Sequence, residues 1–187
     1  VGTPRHYDVI CFSIIDWDFR WQRPQQLMTG FAREGHRVFY LSTTKFWPAE
    51  SPPYRLRLLR ENVWEVQLAI GESVDVYRDV VSDSVARSVA DAIGVLRNEL
   101  GISRAIAMVE VASWAPAARL LRRELGWSTV YDCMDNWSDF PGIDSQLALL
   151  EEERRLAREA DLLVVSSQSL WDKWSGQNPS CLLARNA

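Results

Sequence analysis

Short apolar runs of strand length alternate along this chain with longer segments of helical period. The runs are Asp8–Ile15, Arg37–Leu41, Trp64–Ile70, Ala105–Val111, Ser128–Cys133, Leu162–Val165 and Cys181–Ala184. Several are apolar without interruption, as expected of parallel strands covered on both faces. Between them, Val81, Val85, Val89, Ile93, Leu96 and Leu100 recur at spacings of four, four, four, three and four. They form one apolar stripe, closed by Gly101 where a left-handed cap is favoured. Pro24 and Gly35 bracket a second predicted helix, and Pro116 and Gly126 a third, using the proline-in, glycine-out asymmetry of helix ends. A fourth is expected over 145–160, with Glu151–Arg155 on its solvated face.

This alternation predicts an α/β fold: a doubly wound, mostly parallel, Rossmann-like sheet of about seven strands with helices on both faces. The segment Thr43–Asn62 carries Pro48, Pro52 and Pro53 and has no helical period, so an irregular excursion is expected there.

Composition narrows the field. At 187 residues, 47% hydrophobic and 25% charged, the chain is expected to form a single domain over 1–187. Disordered, collagenous and disulfide-scaffold classes are excluded. Cys11, Cys133 and Cys181 are dispersed in apolar runs, which argues for buried filling in a reducing compartment, not for disulfides or a thiolate metal site. No apolar run approaches the ~18 residues of a membrane span, and no secretory leader opens the sequence. A cytoplasmic location is therefore expected. The net charge of −4 argues against a nucleic-acid partner. With only His6 and His36, a histidine zinc site or a Ser-His-Asp triad has little to draw on.

The turn after the first strand carries the first chemical signal, a negative one. No glycine lies between Gly2 and Gly30, so both the dinucleotide fingerprint and the Walker A loop are missing. No G-x-S-x-G elbow occurs either. The loop instead reads Asp16-Trp17-Asp18-Phe19-Arg20-Trp21-Gln22-Arg23-Pro24. Trp17, Trp21, Trp47, Trp114 and Trp137 follow predicted strand ends, as do Asp16, Asp18, Glu110, Asp132, Asp135 and Asp139. In open α/β sheets that rim is the ligand crevice. Aromatic faces suit sugar rings and carboxylates suit hydroxyls; the competing reading is that the tryptophans cap the core. Asp16-x-Asp18 has the form of a metal-holding pair, but the spacing arises readily by chance and no metal is assigned to it. Asp132 and Asp135 read equally as paired carboxylates or as turn caps. Arg20 or Arg23 offers a fork for phosphate. Arg119, Arg122 and Arg123 form either a solvated face or a contact for anionic headgroups.

Three segments carry a family resemblance. They are Trp17–Ser42 with its R-P-Q-Q-L and G-H-R-V-F-Y-L-S, Val130–Asn136 followed by Phe140-Pro141, and Ala160-Asp161-Leu162 leading to Ser166-Ser167-Gln168. Together they resemble the N-terminal, acceptor-side domain of bacterial group-1 glycosyltransferases of the GT-B fold, which assemble surface polysaccharides and glycolipids. The resemblance covers nearly the whole chain. In that family two Rossmann-like domains face each other across a cleft, the first mostly receiving the acceptor and the second the nucleotide-sugar. Residues 182–187 are similar to the strand and turn leading into the second domain, with Ala187 where glycine is frequent. The C-terminal donor domain has no counterpart in this sequence.

Two departures qualify the match. The Trp/Arg-rich loop replaces a glycine-rich one, and Met134 stands at the histidine of a His-Asp pair whose aspartate is Asp135. The resemblance thus implies a carboxylate as base, Asp135 or Asp132. The strand-end rim, read together with the resemblance, gives Asp16, Trp17, Arg20, Arg23, Glu110, Trp114, Asn136 and Trp137 as expected substrate-binding residues, with Trp114 and Trp137 as sugar platforms. The implied partners are a nucleotide-sugar donor, held mainly by the missing domain, and a glycan or glycolipid acceptor. Peripheral contact with the inner face of the membrane is expected, and nucleic acid is not. No cofactor is implied, and residues 1–187 alone are expected to be inactive. A non-catalytic carbohydrate-binding or interaction module and a sugar-nucleotide epimerase of the same architecture remain open.

Overall fold

A computed structural model describes residues 7–46, 48, 52–71, 74–140 and 146–186. His6, Trp47, Pro141, Ser145 and Ala187 lie outside them. The strands are β1 (Asp8–Phe12), β2 (Val38–Leu41), β3 (Tyr54–Arg60), β4 (Val63–Leu68), β5 (Ala105–Val109), β6 (Ser128–Cys133), β7 (Leu162–Val165) and β8 (Cys181–Leu183). The helices are α1 (Arg23–Arg33), α2 (Asp83–Glu99), α3 (Ala115–Leu125), α4 (Leu147–Glu159) and α5 (Gln168–Trp174). The strands make one sheet in the order β3-β4-β2-β1-β5-β6-β7-β8. Every pairing is parallel except β3 with β4.

The doubly wound, mostly parallel sheet agrees with the expectation, with eight strands where about seven were expected. The stretch expected to be irregular contains β3, which pairs antiparallel with β4 through a turn where Asn62 takes φ 59°. Asparagine tolerates this left-handed conformation better than most residues. α5 is a second element absent from the sequence reading; Ser167 caps it by accepting from the Leu170 N–H.

The period of two along each strand separates two cores. Ile10 and Phe12 of β1, with Tyr131 and Cys133 of β6, face α2, α3, α4 and α5. Val9, Cys11, Val38, Tyr40, Met108 and Val130 face α1, against Met28 and Ala32. Burial on both faces explains the unbroken apolar runs. The same alternation turns Asp132 towards α1, beside Val130, and there it meets the first residue of that helix.

Candidate functional site

Side chains, not glycines, shape the backbone after β1. Trp114 Nε1 donates to the Ser13 carbonyl at 3.1 Å, the Ile14 N–H donates to Glu110 Oε2 at 3.1 Å, and Ser13 Oγ donates to the Leu41 carbonyl at 2.5 Å. Asp16 then accepts from Ser42 Oγ and the Thr43 N–H, both at 2.7 Å, and from Thr44 Oγ1. Burial acts to raise the Asp16 pKa, but these hydrogen bonds outweigh it and hold the carboxyl below its ordinary value. Asp18 turns elsewhere, to Arg57 at 2.5 Å and Lys45 at 3.4 Å. The two carboxylates therefore serve separate partners. Among the described residues no group of three or more His, Cys, Asp or Glu side chains is placed to hold a metal ion.

Arg23 and Asp132 find each other from opposite sides of the site. Arg23 Nε lies 3.1 and 2.9 Å from the two Asp132 oxygens, and Nη2 lies 2.7 Å from Oδ1. Nη1 donates to the Ala184 carbonyl at 2.8 Å and to Asn186 Oδ1 at 3.1 Å. Two expectations are corrected here. Arg23 is not a free phosphate fork, because its Nε, Nη1 and Nη2 all donate to protein oxygens and its side chain is buried. Asp132 is no acceptor-facing base, because its side chain is 1% exposed and occupied by the guanidinium. Burial pushes its carboxyl above the ordinary value, against the pull of Arg23.

Burial also corrects the tryptophan platforms. Trp114 is fully buried and packs on Phe12, and Trp137 is 4% exposed beneath Phe140. Neither offers a ring face to a sugar. Trp17 is 9% exposed, with its edge against Tyr40. Glu110 is buried in the layer that faces α1, and desolvation, followed by the Asp132 charge, pushes its carboxyl up to about 8. It holds the loop backbone and reaches no solvent. Among the described residues, the aromatic rings that face solvent on this rim are Tyr77, Phe140, Phe19 and Trp21. Arg20 is exposed, with its guanidinium 5.2 Å over the Phe19 ring.

One pocket of about 310 Å³ opens between the first turn of α1, the end of β6 and the segment after β8, bordered by Gln22, Arg23, Gln26, Met134, Asp135 and Asn186. Asp135 is its exposed carboxylate. Desolvation and then the Asp132 charge raise its pKa. The backbone behind it is held from α5: Lys173 Nζ donates to Asn136 Oδ1 at 2.7 Å and pairs with buried Glu153 at 3.5 Å. Asn136 is thereby committed to Lys173 and to Ser138 Oγ. Of the residues expected at the site, Arg23 and Asp135 meet at the pocket, and Asp132 lies behind Arg23. Gln22, Gln26 and Asn186 were not foreseen, although the R-P-Q-Q-L motif contains Gln26. Nothing in the sequence pointed to Lys173.

No family model and no curated protein matches this chain. Its fold does match solved structures. Sucrose-phosphate synthase from Thermosynechococcus elongatus superposes with a TM-score of 0.67 at 10% identity, over 96% of this chain and 47% of that one. A second chain of that enzyme gives 0.60 at 12% identity, over 97% and 87%. Alpha,alpha-trehalose 6-phosphate synthase from Burkholderia multivorans gives 0.52 at 13% identity, over 92% and 43%. The chain thus has the Rossmann-like domain fold found in GT-B glycosyltransferases. It spans about half the length of the full synthase chains it matches.

Proposed function

We propose that this chain is the acceptor-binding half of a glycosyltransferase that moves a sugar from a nucleotide-sugar to a hydroxyl on a polysaccharide or lipid-linked acceptor. The observation that carries the reading is Asp135: an exposed carboxylate with a raised pKa, at the carboxyl end of a central parallel strand, on the rim of a polar pocket. Ligands of open α/β sheets bind at that edge, and a carboxylate raised towards neutrality makes a better general base. Asp135 takes the acceptor proton. The amides of Gln22, Gln26 and Asn186 orient hydroxyl groups, and Arg23 with Asp132 fixes the walls. Neighbours of the same fold are named as synthases of sucrose phosphate and of trehalose 6-phosphate, which supports the reaction class.

Donor contacts are assigned to a second domain outside this sequence, so residues 1–187 alone bind acceptor and transfer nothing. A screen of nucleotide-sugars against glycan and glycolipid acceptors, using a protein that joins this chain to its donor domain, tests the reading. Transfer is expected. Glycan binding without transfer identifies a carbohydrate-binding module instead, and conversion of the donor sugar without any acceptor identifies an epimerase.

A further inference from the structure

The arginines of α3 are spent inside the protein. Arg119 pairs with Glu152 at 2.7 Å, Arg122 with Asp161 at 2.9 Å and Arg123 with Glu124 at 3.1 Å. The rim around Asp135 has a different character, aromatic and acidic. Tyr77 and Phe140 are 46% and 44% exposed, and both rest on buried Trp137. The Phe140 ring stacks on that of Trp137 at 5.2 Å, and the Tyr77 ring lies 6.3 Å from it. Neither outer ring borders the Asp135 pocket, although Trp137 follows Asp135 by only two residues.

The backbone beneath Tyr77 is pinned. The Asp75 carboxylate accepts from the Tyr77 N–H at 3.1 Å, and the Asp75 carbonyl accepts from the Arg78 and Asp79 N–H groups at 3.0 Å each. Buried Ser113 ties this turn to the segment after β5: its Oγ donates to the Val76 carbonyl at 2.5 Å, and its carbonyl accepts from the Val81 N–H at 3.1 Å. Half-exposed rings on so constrained a support lose little further freedom on meeting a ligand.

We propose that Tyr77 and Phe140 carry the second sugar of a neutral glycan whose end sugar occupies the Asp135 pocket, which rests on the reading that the pocket receives a carbohydrate. Aromatic rings beside carboxylates suit a sugar, which offers an apolar ring face and hydroxyl groups together. An apolar protein partner would instead have to desolvate those carboxylates. Charge selects a neutral ligand. Asp16 is held ionised by its hydrogen bonds, and the charges of Asp16, Asp75 and Asp135 all act on the Tyr77 hydroxyl, which burial and these charges keep protonated as a donor. Arg78 is engaged by Asp75 at 3.6 Å, and Arg23 by protein oxygens. A phosphorylated sugar would meet repulsion here.

Isothermal titration of the chain tests this with glucose, galactose and mannose, their 6-phosphates, and their neutral disaccharides. In at least one series the disaccharide should bind roughly fivefold tighter than its hexose. Each 6-phosphate should bind more weakly than its neutral hexose, by a margin that shrinks with added salt. Tyr77→Ala and Phe140→Ala should each remove the gain from the second sugar while leaving hexose affinity unchanged, and Tyr77→Phe should keep most of it. If an alanine variant folds poorly, as judged by circular dichroism, the length and charge preferences of the unmodified chain still decide. A phosphate bound as tightly as its hexose, no gain in any disaccharide series, or no binding at all overturns the proposal. So does UDP-glucose binding that Tyr77→Ala removes. Transfer to a hexose phosphate by a protein that includes the donor domain would overturn it and leave the glycosyltransferase reading standing. The expected preferences without any transfer would support the subsite and sink that reading.

Discussion

Arg23, the first residue of α1, holds Asp132 of β6 in a two-pronged ion pair across 109 residues of sequence, and the same guanidinium ties down the Ala184 carbonyl beyond β8. Both side chains are buried, at 8% and 1% exposure. Removing one partner therefore strands a charge in the core. Asp132→Ala should lower unfolding stability by about 3–5 kcal/mol, whereas the double change Arg23→Met, Asp132→Leu should cost far less. Urea denaturation of the three proteins measures both quantities. A loss near the ~0.5 kcal/mol of a surface pair would mean that the pair is solvated.

Glu110 makes stability depend on pH in a defined direction. Its carboxyl titrates at about 8 in the folded chain, against an ordinary 4.5, because it is desolvated and lies near Asp132, with the Arg23 charge opposing and the Cys11 thiol beside it. Between those two values the folded state keeps a proton that the unfolded state has released. Stability is therefore fully present below about 4.5 and falls as pH rises towards about 8. Glu110→Gln should flatten that slope while keeping an acceptor for the Ile14 N–H. Denaturation midpoints measured across this range provide the check, and an unchanged slope in the variant would place the titration elsewhere.

Trp114 should behave as a core residue. Trp114→Phe keeps most of the packing on Phe12 but loses the hydrogen bond to Ser13, at a cost of about 1 kcal/mol. Trp114→Ala should cost about 3–5 kcal/mol. Neither change should alter acceptor affinity beyond its effect on folding. A selective loss of glycan binding in a stably folded Trp114→Phe variant would restore the platform role.

These contrasts mark what the sequence made legible. β1, β2, β5, β6 and β7 were readable because strands buried on both faces leave unbroken apolar runs. β3 was not, because it is an exposed edge: Arg55, Leu56, Arg57 and Leu58 all lie open to solvent, and the pattern of Tyr54–Arg60 carries no core signal. The strand ends read from the sequence do fall along one rim of the sheet, and Asp135 lies on it. The roles of Trp114, Trp137 and Asp132 were misjudged because position after or near a strand end does not say which way a side chain turns. Ala112, Ala115, Ala117 and Ala118 around Trp114 were a usable hint, since small residues let a large ring fold inward. The Arg23–Asp132 and Lys173–Asn136 contacts had no local signal at all, because each joins elements distant in the chain.

Asp135 carries the proposed chemistry. In a protein that joins this chain to the proposed donor domain, Asp135→Asn keeps the side chain's size and removes its basicity. Steady-state turnover and nucleotide-sugar affinity should be measured together on that variant. Turnover is expected to fall by about 10²–10⁴-fold, the range for loss of a general base, with donor affinity unchanged. Near-normal turnover at unchanged donor affinity would contradict the account and reduce Asp135 to a polar residue at a strand end.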